Sequence, residues 1–156
     1  MINFLWVFLA IGLVLLNAFF VAAEFSMVKL RQTQVQDIKE SYGFRGLILE
    51  QVHKYLDTYL SACQLGITLA SLGLGWIGEP AFAYLLKSLF IFLGISSLEL
   101  ITFISFFTAF FIISFLHIVV GELMPKSIAI RQSEVVSVWT AVPLYGFYWI
   151  ILNSRN

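Results

Sequence analysis

Three stretches of this chain are too long and too apolar to belong anywhere but in a bilayer. Ile2 to Ala23 is a run of 22 residues without a charged side chain, Thr58 to Gly78 a run of 21, and Leu100 to Gly121 a run of 22. A helix of about 20 such residues crosses a hydrocarbon core of about 30 Å. The chain as a whole is 60% apolar and only 12% charged, which excludes intrinsic disorder. Nine basic residues balance nine acidic ones, so there is no basic excess to hold a nucleic-acid backbone by counterion release, and no nucleic-acid partner is expected. The single Cys63 excludes an internal disulfide and any C-x-x-C metal or redox site.

The predicted fold is therefore an all-α membrane protein with three clear transmembrane helices plus amphipathic juxtamembrane helices, a fourth crossing being left open by the last apolar stretch. No basic residue precedes the first run, and it is longer than a signal-peptide core, so it reads as a retained span. The second run is expected to stop at Gly78-Glu79-Pro80. Ala81 to Leu98 is interrupted by Lys87 and Gly94 and reads as a short or partly embedded helix, not a crossing. Val135 to Leu152 is uncharged for 18 residues but holds Pro143, Gly146 and the interface-seeking Trp139, Tyr145, Tyr148 and Trp149. Hydropathy admits both a crossing and a surface position for it.

Lys29, Arg31, Lys39, Arg45 and Lys54 lie between the first and second runs, only Lys87 between the second and third, and Lys126 and Arg131 after the third. The positive-inside rule places the N-terminus outside the cell membrane and residues 29–57 in the cytoplasm. Within 29–57, Leu47, Ile48, Val52 and Leu56 recur at helical spacing amid mixed charges. That predicts an amphipathic surface helix broken at Gly43.

Polar groups inside spans are expensive, so they are the informative residues. Asn17 and Glu24, seven residues apart, fall within about 20° of each other on one helix face. Ser61, Gln64, Thr68 and Ser71 form one oxygen-bearing stripe on the second span, and Ala62, Gly66 and Ala70 form a small-residue row suited to close packing on another face. In Gly121-Glu122-Leu123-Met124-Pro125-Lys126, the proline cannot donate a backbone hydrogen bond and displaces the carbonyl four residues earlier, that of Gly121. This predicts a bare carbonyl oxygen beside the Glu122 carboxylate, a combination that suits a cation at membrane depth. The alternative for Glu122 is an ion pair with Lys126. The donors are oxygens, as hard cations such as Mg²⁺ and Na⁺ prefer, while zinc and copper would want His and Cys. His117 and Cys63 are alone in their spans, and His117 reads as a hydrogen-bonded packing residue.

These residues carry a family resemblance. Gly121-Glu122-Leu123-Met124-Pro125-Lys126 is similar to the G-E-hydrophobic-x-P-K signature of the CNNM/CorC transmembrane domain, and Leu16-Asn17-Ala18-Phe19-Phe20-Val21-Ala22-Ala23-Glu24-Phe25 is similar to its first-helix motif. Val21 departs from the serine that several relatives carry. The resemblance implies a homodimer with an interfacial rather than crossing last helix, and cytosolic CBS domains in the full-length chain. It implies Mg²⁺ export in exchange for Na⁺ by alternating access, with metal ligands at Asn17, Ser71, Gly121 and Glu122, and with Gln64 and Thr68 in the same stripe. A non-transporting Mg²⁺ sensor or regulatory subunit is the alternative. No enzymatic activity is expected, because no nucleophile and base stand at helical spacing.

Overall fold

The computed structural model describes residues 2–153, with side chains from residue 4 onward, and those residues fold as helices joined by short turns. Seven α-helices follow in order: α1 (Ile2–Lys29), α2 (Gln32–Tyr42), α3 (Phe44–Lys54), α4 (Leu56–Phe92), α5 (Leu98–Leu116), α6 (Met124–Arg131) and α7 (Ser133–Asn153). A π-helical segment, His117–Leu123, joins α5 to α6. Four rods are long and apolar enough to cross a membrane: Phe4–Lys29, Leu56–Phe92, Leu98–Arg131 and Ser133–Asn153. The all-α membrane expectation holds, and the fourth rod is the stretch that hydropathy left open. The placement of the N-terminal Met1 falls outside the described residues.

One expected boundary is overturned. α4 does not stop at Gly78-Glu79-Pro80 but carries Pro80 inside and runs 37 residues to Phe92. Proline removes one hydrogen bond and bends the helix, yet in lipid a helix with one bond missing is far cheaper than an unravelled backbone with many. The turn comes later, at Gly94 with φ +84°, and the Ser97 hydroxyl then accepts from the Leu100 amide at 3.4 Å to start α5.

The break at Gly43 is where the sequence puts it, with φ +53°, a left-handed backbone that favours glycine. It folds α2 back on α3 so that Val35 and Ile38 meet Leu49 and Val52 in a core shared with Met27 of α1 and Val138, Ala141 and Leu144 of α7. A Lys39–Glu50 ion pair at 2.9 Å closes the hairpin. The Arg45 guanidinium lies 4.2 Å from the centre of the Trp139 ring, tying the hairpin to α7.

α1 and α4 pack antiparallel through the expected small-residue row. Ala62, Gly66 and Ala70 are buried, with the Phe20 ring seated on Gly66 and Leu13 against Gly73. α5 turns Ile101, Ser105, Ala109 and Ile113 inward and leaves Phe103, Phe107, Phe111 and Phe115 exposed to lipid. The π segment is thereby brought against the middle of α1.

Candidate functional site

The third rod breaks because Pro125 has no amide hydrogen for the Gly121 carbonyl four residues back. The helix accommodates this by widening: the Met124 amide reaches Val119 O, five residues earlier rather than four. Such π turns recur at functional sites. Here the turn brings buried Gly121 against α1, where an added Cβ would stand 3.1 Å from His117 Cδ2 and 3.3 Å from Asn17 Nδ2. Only a glycine allows the two helices this approach without a shift.

The sequence predicts a bare Gly121 oxygen, and the structure corrects this. Asn17 Nδ2 donates to it at 3.0 Å across 104 residues of chain. A carbonyl deprived of its helical partner inside lipid takes the nearest donor, and the fully buried Asn17 side chain supplies one. The contact extends through Ser71 of α4, whose Oγ lies 3.4 Å from Asn17 Oδ1 and 3.2 Å from His117 Nε2. His117 Nε2 in turn lies 3.8 Å from Glu122 Oε1. Protons distribute over this chain without conflict when Nε2 carries the imidazole hydrogen. His117 then donates to Ser71, Ser71 to Asn17 Oδ1, and Asn17 Nδ2 to Gly121, leaving the Glu122 carboxylate as the unsatisfied acceptor at the open end.

Four of the six predicted site residues, Asn17, Ser71, Gly121 and Glu122, are thus assembled from three helical rods. Gln64 and Thr68 lie exposed on adjoining turns of α4; Thr68 Oγ1 donates to Gln64 O at 2.8 Å, as hydroxyls in spanning helices often do. Ser61 does the same to Asp57 O at 2.9 Å. Glu24 is half-buried. Lys126 does not pair with Glu122; its ammonium sits 4.5 Å from the centre of the Phe25 ring. His117 is hydrogen-bonded, as its sequence reading expects; what that reading misses is its place beside Glu122. In an α-helix, side chains five apart diverge by about 140°, so His117 and Glu122 do not share a face until the π turn realigns them. The sequence signal was Pro125 itself, which announces a distortion but not its extra residue.

The cluster offers an amide oxygen, a hydroxyl, a main-chain carbonyl and one carboxylate. Adjacent ligands around Mg²⁺ stand about 3 Å apart when bonds are 2.0–2.1 Å in an octahedron. The 3.4 Å between Ser71 Oγ and Asn17 Oδ1 is a few tenths wider than that. The Asn17 N–H presently fills the side of Gly121 O that faces the cluster.

The whole cluster lies within the stretch that a known family matches. The profile of the "Cyclin M transmembrane N-terminal domain", CNNM, matches residues 8–153. Among curated proteins, the chain is 46% identical to UPF0053 protein YugS of Bacillus subtilis over 144 residues, covering 92% of this chain and 33% of that protein. It is 42% identical to UPF0053 protein YhdP of the same organism over 151 residues, covering 92% and 34%, and 45% identical to UPF0053 protein YrkA over 143 residues, covering 89% and 32%. The chain spans about a third of the length of these relatives. The sequence match runs through all four apolar rods and every residue of the cluster, so this chain belongs to the CNNM transmembrane-domain family.

Proposed function

We propose that this chain is the membrane domain of a Mg²⁺ transporter, with Asn17, Ser71, Gly121 and Glu122 as the ion's protein ligands. The observation that carries this reading is the Asn17 bond to the Gly121 carbonyl beside the Glu122 carboxylate. It supports a site in which an amide, a hydroxyl, a main-chain carbonyl and a carboxylate, all donors of suitable hardness, serve one ion. Loading requires the Asn17 amide to turn, releasing Gly121 O and presenting Oδ1, so that an N–H is exchanged for a cation. Glu122 supplies the charge that offsets dehydration, and its half-exposed position gives the ion an approach from the basic end of the bundle. Gln64 and Thr68 line the same face of α4 and belong to that approach.

In this reading Mg²⁺ leaves the cell in exchange for Na⁺ by alternating access. The protein works as a homodimer, residues 29–57 face the cytoplasm, α7 lies along the interface, and CBS domains in the full-length chain regulate it. The Arg45–Trp139 contact, which holds α7 to the amphipathic hairpin, supports the interfacial position. Calorimetric titration of Glu122→Gln tests the site: Mg²⁺ affinity is expected to fall at least about tenfold, roughly 1.4 kcal/mol. Wild-type affinity would place the ion elsewhere. Mg²⁺ binding without Na⁺-driven flux in liposomes would make the domain a sensor.

A further inference from the structure

We propose that the cavity between α4 and α5 is the outer half of the cation path, and that Glu79 is its carboxylate, a second and weaker cation site. This rests on the transport reading above. The cavity holds about 350 Å³ and is bounded at one end by Ser71 and His117, both members of the cluster, and at the other by Glu79; Gly75, Ser114 and Phe110 line it between them. The central site and Glu79 therefore open onto one continuous space. Eight residues of helix separate Ser71 from Glu79, about 12 Å. That distance is too great for one ion to touch both and suits two sites used in turn.

Glu79 is the one charged residue of α4 between Asp57 and Lys87. It is half-buried, and among the described residues no ion pair or hydrogen bond engages it. Glu79 stands at the end of the uncharged run Thr58–Gly78, and the Phe106 and Phe110 rings that share its cavity offer its carboxylate no hydrogen-bond donor. A passing cation with part of its water shell supplies the missing partner. The cavity runs away from Lys126 and Arg131, toward the start of α5, which the distribution of basic residues makes the outer side. A single carboxylate holds an ion loosely, as a release step requires. The ligand is a partly hydrated small cation, either the exported ion leaving or the exchanged ion entering.

Two measurements on the full-length protein in proteoliposomes test this. Glu79→Gln is expected to slow Na⁺-driven Mg²⁺ flux about tenfold while calorimetric Mg²⁺ affinity stays within about twofold of wild type, because the central ligands are untouched; Glu79→Asp, which keeps the charge, should restore most of the flux. Gly75→Cys is sterically free, since an added Cβ there meets nothing within 4 Å. In a Cys63→Ala background its thiol should react with a membrane-impermeant reagent added from the outer side, faster with outer Na⁺ than with saturating Mg²⁺. Wild-type flux in Glu79→Gln, or a Gly75→Cys thiol inert from outside in every ionic condition, overturns the proposal. Failure of the central site would show instead as unchanged Mg²⁺ affinity in Glu122→Gln, and the labelling of Gly75→Cys still reports the outer path in that case.

Discussion

α1 approaches two glycines on two different helices, and the approaches differ in kind although they are three residues apart on α1. At Gly66 of α4 the contact is the Phe20 ring, where an added Cβ would lie 2.5 Å from ring carbons. At Gly121 of the π segment the contact is the Asn17 amide, where an added Cβ would lie at 3.3 Å, with His117 Cδ2 at 3.1 Å. Phe20 is 2% exposed and belongs to the core shared with α2, α3 and α7, so the ring has nowhere to go. Asn17 is hydrogen-bonded to Ser71 and through it to His117, whose Nε2 lies 3.8 Å from a half-exposed carboxylate. One contact is locked by packing, and the other is held by bonds that can be exchanged. The proposed transport needs both: a fixed frame, and a site whose geometry responds to its ion.

Gly66→Ala breaks the locked side and carries the largest expected effect. Overpacking a closed core costs about 1–3 kcal/mol, read as a lowered midpoint in thermal unfolding in detergent. Phe20→Leu in the same chain should recover part of the loss, a coupling expected of residues in direct contact. Mg²⁺ affinity of the folded fraction should be unchanged. A loss of affinity as large as that in Glu122→Gln would show that packing and binding are not separable here.

Asn17→Leu breaks the exchangeable side. It leaves Gly121 O and Ser71 Oγ without their partner, at about 1–3 kcal/mol for a buried unsatisfied group, offset by the apolar area that leucine adds. Net stability should fall by about 1 kcal/mol or less, with Mg²⁺ affinity down by about tenfold. Gly121→Ala is the finer probe. Its methyl asks Asn17 and His117 to yield by a few tenths of an ångström, so stability should drop by less than in Gly66→Ala. Mg²⁺ affinity should weaken by a few-fold, about 1 kcal/mol. Equal destabilisation at the two glycines would abolish the distinction between them.

The frame was legible because its causes are local. The charge-free runs form helices, though α4 outruns its expected end, and the small-residue row at Ala62, Gly66 and Ala70 and the Gly43 break appear where the sequence places them. Two of the three prolines in the long apolar rods, Pro80 and Pro125, show where local reading ends. Pro80 and Pro125 remove the same hydrogen bond, yet α4 continues through the first while the second is answered by a π turn. What differs is the neighbour: at Gly121 another helix offers an amide at 3.0 Å, a fact set by how α1 and the third rod meet and written in neither segment alone. The place of His117 beside Glu122 is missed for the same reason, since their alignment exists only after the turn widens. The carboxylate and the displaced carbonyl were visible in one hexapeptide; the donor that occupies the carbonyl lay 104 residues away.

Thr68→Val carries the smallest expected effect and tests how far the responsive side extends along α4. Ser71 and Thr68 share a stripe at helical spacing, but Ser71 Oγ faces Asn17 and His117, whereas Thr68 Oγ1 bonds back to the carbonyl of Gln64 one turn earlier. That bond is internal to the helix, and the side chain is exposed, so replacing its hydroxyl with a methyl of similar shape removes no interhelical contact. Stability should change by no more than about 0.5 kcal/mol, and calorimetric Mg²⁺ affinity should stay within about twofold. The flux half-saturation for cytoplasmic-side Mg²⁺ should rise modestly, as befits a residue on the approach and not at the site. If Thr68→Val instead matched Asn17→Leu in lost affinity, the hydroxyl must leave Gln64 O and turn to the ion on loading. The responsive region would then reach a full turn further along α4 than the Asn17–Gly121 contact.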